Sequence, residues 1–139
     1  MNAAEAFFDT HILLYLLSGD PEKADHAEAL LTKGGVISVQ VLNEFAAVTS
    51  RQLGLSHPEI REVLQTVREV CKVNSLTLET HDLGLQVAER YQFSFYDSLI
   101  VASALLAKCG TLYSEDLQDG QTIDGRLIVR NPFAVRAKC

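Results

Sequence analysis

Four acids stand in settings where a carboxylate could do chemistry: Asp9, Glu44, Asp97 and Asp116. Asp9 follows the apolar run Ala-Phe-Phe, and Asp116 follows Thr111, Leu112, Tyr113 and Ser114, so each reads as a carboxylate placed just past a short strand. Asp97 opens the apolar stretch SLIVASALLA, which reads as a buried helix. Glu44 lies three residues after Val41 and four before Val48, beside an apolar stripe rather than opposite it. An acid there is costly to bury without a partner.

Taken singly, most of these have a bland explanation. Asp97 in a first helical turn would cap amide groups and meet the positive end of the helix dipole, worth about 0.3 to 1 kcal/mol. Asp116, within SEDLQDG, would serve as a turn residue. Their convergence would be another matter. Two carboxylates about 4 Å apart repel by about 4 kcal/mol at an effective dielectric of 20, so a cluster needs protons or a cation. Oxygen-only ligands suit Mg²⁺ or Mn²⁺, which contact phosphates, activate water and offset charge on a phosphoryl group. The chemistry that fits is metal-assisted hydrolysis of a phosphodiester.

The elements that must position these acids follow in order. Residues 6–8 form a first strand, and 11–17 (HILLYLL) a short buried helix closed by Ser18 and Gly19. Asp20-Pro21 starts a helix over 21–33 that Gly34-Gly35 stops. A strand over 36–38 leads into a helix over 39–53, capped by Ser38. Ser56, Pro58 and Glu59 have the spacing of a capping box for a helix reaching Lys72. A third strand over 73–78 precedes a helix over 81–91 capped by Thr80, then comes the helix over 97–108 stopped by Gly110. Strands over 111–114 and 127–129 complete the pattern. Strands alternating with helices predict an α/β fold, with a mostly parallel sheet of four to five strands between helical layers. In such folds, ligands sit beyond the carboxyl ends of the strands, where Asp9 and Asp116 fall.

The totals bound the function. At 139 residues the chain has the size of one domain spanning 1–139, with enough length for a sizeable core. A net charge of −6 argues against holding nucleic acid on a broad basic surface, so any such site must be local. Cys71, Cys109 and Cys139 are odd in number and lack C-x-x-C spacing, which disfavours a disulfide framework or a zinc site and fits reduced, cytoplasmic thiols. The start MNAAEAFFD has no basic region, and the apolar runs are far shorter than the roughly 20 residues of a membrane helix. Neither an export signal nor a membrane span is expected.

FFDTHILLYLL, the Glu-bearing ISVQVLNEF, FSFYDSLIVASALLAKCG and TLYSEDLQDG follow one another as do the signature blocks of PIN-domain ribonucleases, and they most resemble those of VapC toxins of bacterial toxin–antitoxin pairs. The resemblance covers nearly the whole chain. It implies a three-layer α/β/α sandwich, usually dimeric, with a Mg²⁺ or Mn²⁺ site, RNA as substrate, and a cognate VapB-type antitoxin that inhibits it. By matching position, Asp9 and Asp97 would lie nearest the ion, and Glu44 and Asp116 would bind it directly or through water. Thr10 and Ser114 match polar positions that orient these acids. One departure is His11, where the family commonly has Asn; the residue reads as a packing or hydrogen-bonding group. Glu115 and Asp119 read as solvated loop acids, with Asp119-Gly120 a turn. Two other readings stand beside the nuclease. One is a catalytically silent module of the same fold that binds RNA or a basic peptide. The other is an aspartyl phosphatase or receiver-type domain, which normally carries a second acid where this chain has His11.

Overall fold

The computed structural model describes residues 5–134. Cys139 lies outside the described residues. Strands β1 (Ala6–Phe8), β2 (Gly35–Ser38), β3 (Cys71–Asn74), β4 (Thr111–Tyr113), β5 (Thr122–Ile123) and β6 (Leu127–Arg130) form one sheet in the order β3-β2-β1-β4-β6-β5. All pairings are parallel except that of β5 with β6. The sheet is thus the expected mostly parallel one, extended by a two-residue antiparallel strand too short to leave a periodic signal in sequence. The third strand ends at Asn74, earlier than the alternation of 73–78 suggests. Its register allows only four pairs with β2, after which the chain turns to Thr77, the cap of the next helix.

Six helices flank the sheet: α1 (Thr10–Leu14), α2 (Pro21–Thr32), α3 (Val39–Gln52), α4 (His57–Val70), α5 (Leu78–Tyr91) and α6 (Phe95–Leu106). The segment read as one helix over 11–17 is α1 followed by a 3₁₀ turn, Tyr15–Leu17. Helix α4 has the capping box that its sequence announces, with Ser56 and Glu59 each satisfying the other's amide. Helix α5 starts three residues earlier than expected because Thr77 is the cap and Thr80 its reciprocal partner. Ser38 occupies the cap position of α3, yet its side chain makes no capping bond.

The helices sort into two layers, α1 to α4 packing among themselves and α5 packing along α6. Helix α6 is apolar nearly all round, with every residue from Ser98 to Leu105 buried. Gly84 lets α5 approach it, since a Cβ there would come within 2.8 Å of Leu99. Phe7, Phe8, Ile37, Leu112 and Val129 from adjacent strands are buried to 2 % exposure or less. Each such side chain contributes roughly 1.5 to 3 kcal/mol of burial. Gly35 sits where a Cβ would lie 2.5 Å from the Phe8 ring and 2.6 Å from the Ala6 carbonyl, so only glycine lets β2 lie against β1. The central strand β1 is therefore held on both sides, and its last bond, from the Asp9 amide to the Tyr113 carbonyl at 3.0 Å, fixes where Asp9 emerges.

Candidate active site

The register of the sheet puts Asp9 in a row with two hydroxyls. One residue past the Phe8–Tyr113 pair, Asp9 lies beside Ser114; two past the Phe7–Val36 pair, it lies beside Ser38. The Ser114 hydroxyl donates to Asp9 Oδ2 at 2.8 Å, and the Thr10 amide donates to Oδ1 at 2.7 Å. Ser114 also accepts from the Asp116 amide at 3.2 Å, joining the two acids at the edge through one oxygen. Asp9 is only 4 % exposed. Burial pushes its carboxyl up to about 6, and the nearby Asp116 adds to the rise, against the opposing pull of Ser114, the Thr10 amide and His11.

Asp97 comes to the same edge from α6. The helix opens two residues before Asp97, with Ser94 as the cap that accepts from the Asp97 amide at 3.2 Å. Asp97 is therefore not the cap that its position suggested. Its carboxyl is held above the usual range by burial, opposed by a hydrogen bond to Ser94, with Asp116 and His11 acting on it in opposite directions. Asp9 and Asp97 each feel both Asp116 and His11, which places those two residues electrostatically between them. His11 Nδ1 lies 3.2 Å from Asp116 Oδ2, an ion-pair distance without hydrogen-bond geometry.

Glu44 is held by its own helix. Its Oε1 accepts at 2.8 Å from Nε2 of Gln40, and the same nitrogen lies 3.3 Å from the carbonyl oxygen of Tyr96, the residue before Asp97. Glu44 is thus tied to the first turn of α6 rather than to Asp9. Among the described residues, no three His, Cys, Asp or Glu side chains form a ready-made group to hold a metal ion. Asp9, Asp97 and Asp116 border one edge without closing into a cage, and Glu44 is connected to it through Gln40.

The donors nonetheless suit a hard cation. They are all oxygen, as Mg²⁺ requires, and Mg²⁺ commonly keeps several waters while contacting one or two carboxylates. Among the described residues, no cationic side chain is hydrogen-bonded to the buried Asp9 carboxylate. Next to it, the buried Thr10 Oγ1 has no hydrogen-bond partner, and neither has Ser38 Oγ in the adjoining strand. Unsatisfied buried hydroxyls at a polar edge are where ordered water or an ion belongs.

Sequence reasoning missed Gln40 and Ser94, and it read Ser38 only as a helix cap. Gln40 had a legible signal, since it stands four residues before Glu44 on one helix face. Ser94 had one too, lying three residues before Asp97. Of the loop acids, Glu115 differs from expectation, being half-buried, while Asp119 is exposed and forms a turn with Gly120 as expected. Glu115 accepts from the Tyr15 hydroxyl at 2.7 Å, and burial together with this carboxylate pushes the phenol up to about 12. Asp119 accepts from the Asn131 amide at 2.9 Å, beside Gly120 in the left-handed region at φ 87°.

With this geometry in hand, comparison with known proteins is direct. No curated protein matches the sequence significantly. Among solved structures, a toxin–antitoxin complex from Klebsiella pneumoniae superposes with a TM-score of 0.70 at 22% identity, covering 94% of this chain and 99% of that one. Mycobacterium tuberculosis VapC20, described as a sarcin–ricin loop cleaving toxin, gives a TM-score of 0.65 at 19% identity, over 78% of this chain and 88% of that one. VapBC2 from Rickettsia felis, bound to a DNA fragment from its promoter, gives 0.67 at 18% identity, over 91% and 97%. These likenesses establish a shared fold. The PIN domain family model matches residues 6–118, a span that includes Asp9, Glu44, Asp97 and Asp116, and the chain belongs to the PIN domain family.

Proposed function

We propose that this protein is a Mg²⁺- or Mn²⁺-dependent endoribonuclease of the VapC kind, hydrolysing RNA phosphodiester bonds. The observation that carries this reading is Asp9: a carboxylate at the end of the central strand, buried, with no cationic side chain hydrogen-bonded to it among the described residues and with Asp116, which also acts on Asp97, in electrostatic reach. A folded protein keeps such a group where function requires it. Asp9 and Asp97, with Glu44 and Asp116 directly or through water, would hold the ion, which when bound supplies water activation and charge neutralisation at the phosphoryl group.

The chain's own residues do the rest. Ser114 and the Thr10 amide fix both oxygens of Asp9, so its carboxylate cannot swing away as charge builds nearby. Ser94 fixes the first turn carrying Asp97. His11 sets an imidazole nitrogen 3.2 Å from an oxygen of Asp116 and can steady that acid. The second acid that a receiver-type phosphatase normally carries is thus replaced by an imidazole facing a different carboxylate.

The partners follow from the same edge. An acidic site on a chain of net charge −6 favours a basic segment as inhibitor, which fits an antitoxin of the VapB type. We read the chain as a cytoplasmic, homodimeric protein with one PIN domain over 1–139. No helix among the described residues is long and apolar enough to cross a membrane, and the buried Cys71 and Cys109 are free thiols.

The test is RNA cleavage by the purified protein with Mg²⁺ or Mn²⁺. Cleavage should stop on adding EDTA and should be lost in Asp9→Asn and in Asp97→Asn. Cleavage that survives both substitutions sinks the assignment.

A further inference from the structure

Gln40 is a buried amide with two jobs. It is 5 % exposed, and its one nitrogen faces Glu44 Oε1 at 2.8 Å and the Tyr96 carbonyl at 3.3 Å. A Gln and an acid four residues apart on a helix often pair, and on an exposed face such a pair is worth only about 0.2 to 0.5 kcal/mol. The bond to Tyr96 is different. It spans 56 residues of sequence and joins α3 to the first turn of α6, one residue before Asp97. Nothing in the helix geometry of α3 asks for it.

The chemistry of the amide suits the task. Its nitrogen carries two hydrogens, one for each acceptor, and the carbonyl of Tyr96 has a second lone pair to accept with while it also serves its own helix. A lysine here would pair with Glu44 and cancel its charge. A neutral amide orients the carboxylate and leaves that charge free for a cation. Serine at 38 begins the same turn with a buried hydroxyl that no protein group satisfies, so this end of α3 already borders the polar edge.

We propose that Gln40 is a positioning residue that holds the Glu44 carboxylate at the N-terminus of the helix carrying Asp97. The proposal rests on the nuclease reading for the role of Glu44, and the geometry of the clamp is its own. Loss of the amide frees Glu44 to turn to solvent, since that side chain has no other hydrogen bond among those the structure gives it.

The test is a double-mutant cycle on the purified protein, using Gln40→Met to keep volume, Gln40→Glu to keep shape while removing the donor, Glu44→Gln, and the Gln40→Met/Glu44→Gln pair. Each is assayed for RNA cleavage, titrated with Mn²⁺ by calorimetry, and melted. Gln40→Met and Gln40→Glu should each lower kcat about tenfold and weaken Mn²⁺ binding several-fold, with KM for RNA within about twofold. The double variant should be no worse than Glu44→Gln alone. Losses that multiply, or a wild-type kcat and Mn²⁺ affinity in Gln40→Met, overturn the proposal. A merely structural role would lower the melting temperature of Gln40→Met without that non-additivity, and this result overturns it as well. If the wild-type protein cleaves no RNA, the nuclease reading fails separately, and Mn²⁺ affinity decides: weakening in Gln40→Met with a double variant no weaker than Glu44→Gln sustains the clamp, and unchanged affinity in Gln40→Met removes it.

Discussion

Asp9 and Asp124 are both acids just past the end of a strand, and the protein treats them in opposite ways. Asp124 follows β5 in the left-handed region at φ 52°. Its Oδ1 accepts from Arg90 and, at 2.9 Å, from the Tyr91 hydroxyl, and that hydroxyl in turn accepts from the Asp124 amide at 2.8 Å. Every charge there has an answer, and the result is a lock between the end of α5 and the β5–β6 turn. Asp9 has hydrogen bonds, none of them from a cationic side chain among the described residues. A paired acid at the surface holds a structure together, and a buried acid left without a counter-charge marks where something else must bind.

The largest expected contrast is in activity. Asp9→Asn should cut RNA cleavage by about a hundredfold or more, whereas Asp124→Asn should leave kcat within about twofold, measured on one RNA substrate under one metal concentration. Equal losses would erase the distinction between site and lock.

Stability should move the other way. Asp9 ionises at about 6 in the folded chain against 3.8 for an ordinary aspartate, so above pH 6 folding bears the cost of its charge. As pH falls from 6 toward 4 the folded carboxyl gains its proton first, and the cost fades. Converted at about 1.4 kcal/mol per pKa unit, the penalty at pH 7.5 is of the order of 3 kcal/mol at most. Metal-free Asp9→Asn should therefore be about 1 to 2 kcal/mol more stable than wild type at pH 7.5 by chemical denaturation, and no more stable near pH 4. A variant that is less stable at pH 7.5 would mean that the site's carboxylate is already compensated.

At the lock, Tyr91→Phe removes a hydroxyl that both donates and accepts, and it should cost about 1 to 2 kcal/mol of stability with activity unchanged. The smallest effect belongs to Arg90→Ala. Arg90 is exposed, so salt and water screen its pair with Asp124, and the melting temperature should hardly change. A large drop there would show that the charge, rather than the Tyr91 hydroxyl, closes this turn.

Much of the fold was legible in the sequence, whereas the Asp124 lock was not. Periodicity, Gly stops and capping residues located the helices to within a few residues, because those signals are local. Helix α4 shows it best: Ser56, Pro58 and Glu59 announce its start, and the structure begins it at His57. The two-residue β5 and the early end of β3 were not legible, since pairing partners rather than local sequence set a strand's length. Taken singly, Asp97 read as a cap because an acid in a first turn is so commonly one, and only the family resemblance set it near an ion. The single-residue reading overlooked Ser94, whose hydroxyl takes the role and also bonds the Asp97 carboxylate, which stands at the edge within reach of Asp116 and His11.

By itself the sequence determined which residue types could do the chemistry, the order of the elements that carry them, and the α/β class, because each depends on neighbours within a few positions along the chain. The tertiary structure alone decided how they meet. It set Asp9 between Ser38 and Ser114 through strand register, placed His11 against Asp116, and joined Glu44 to the turn before Asp97 through Gln40. Those contacts span many tens of residues, and no local propensity encodes them. They follow from which strands lie side by side, a choice fixed by packing, down to the absence of a Cβ at Gly35.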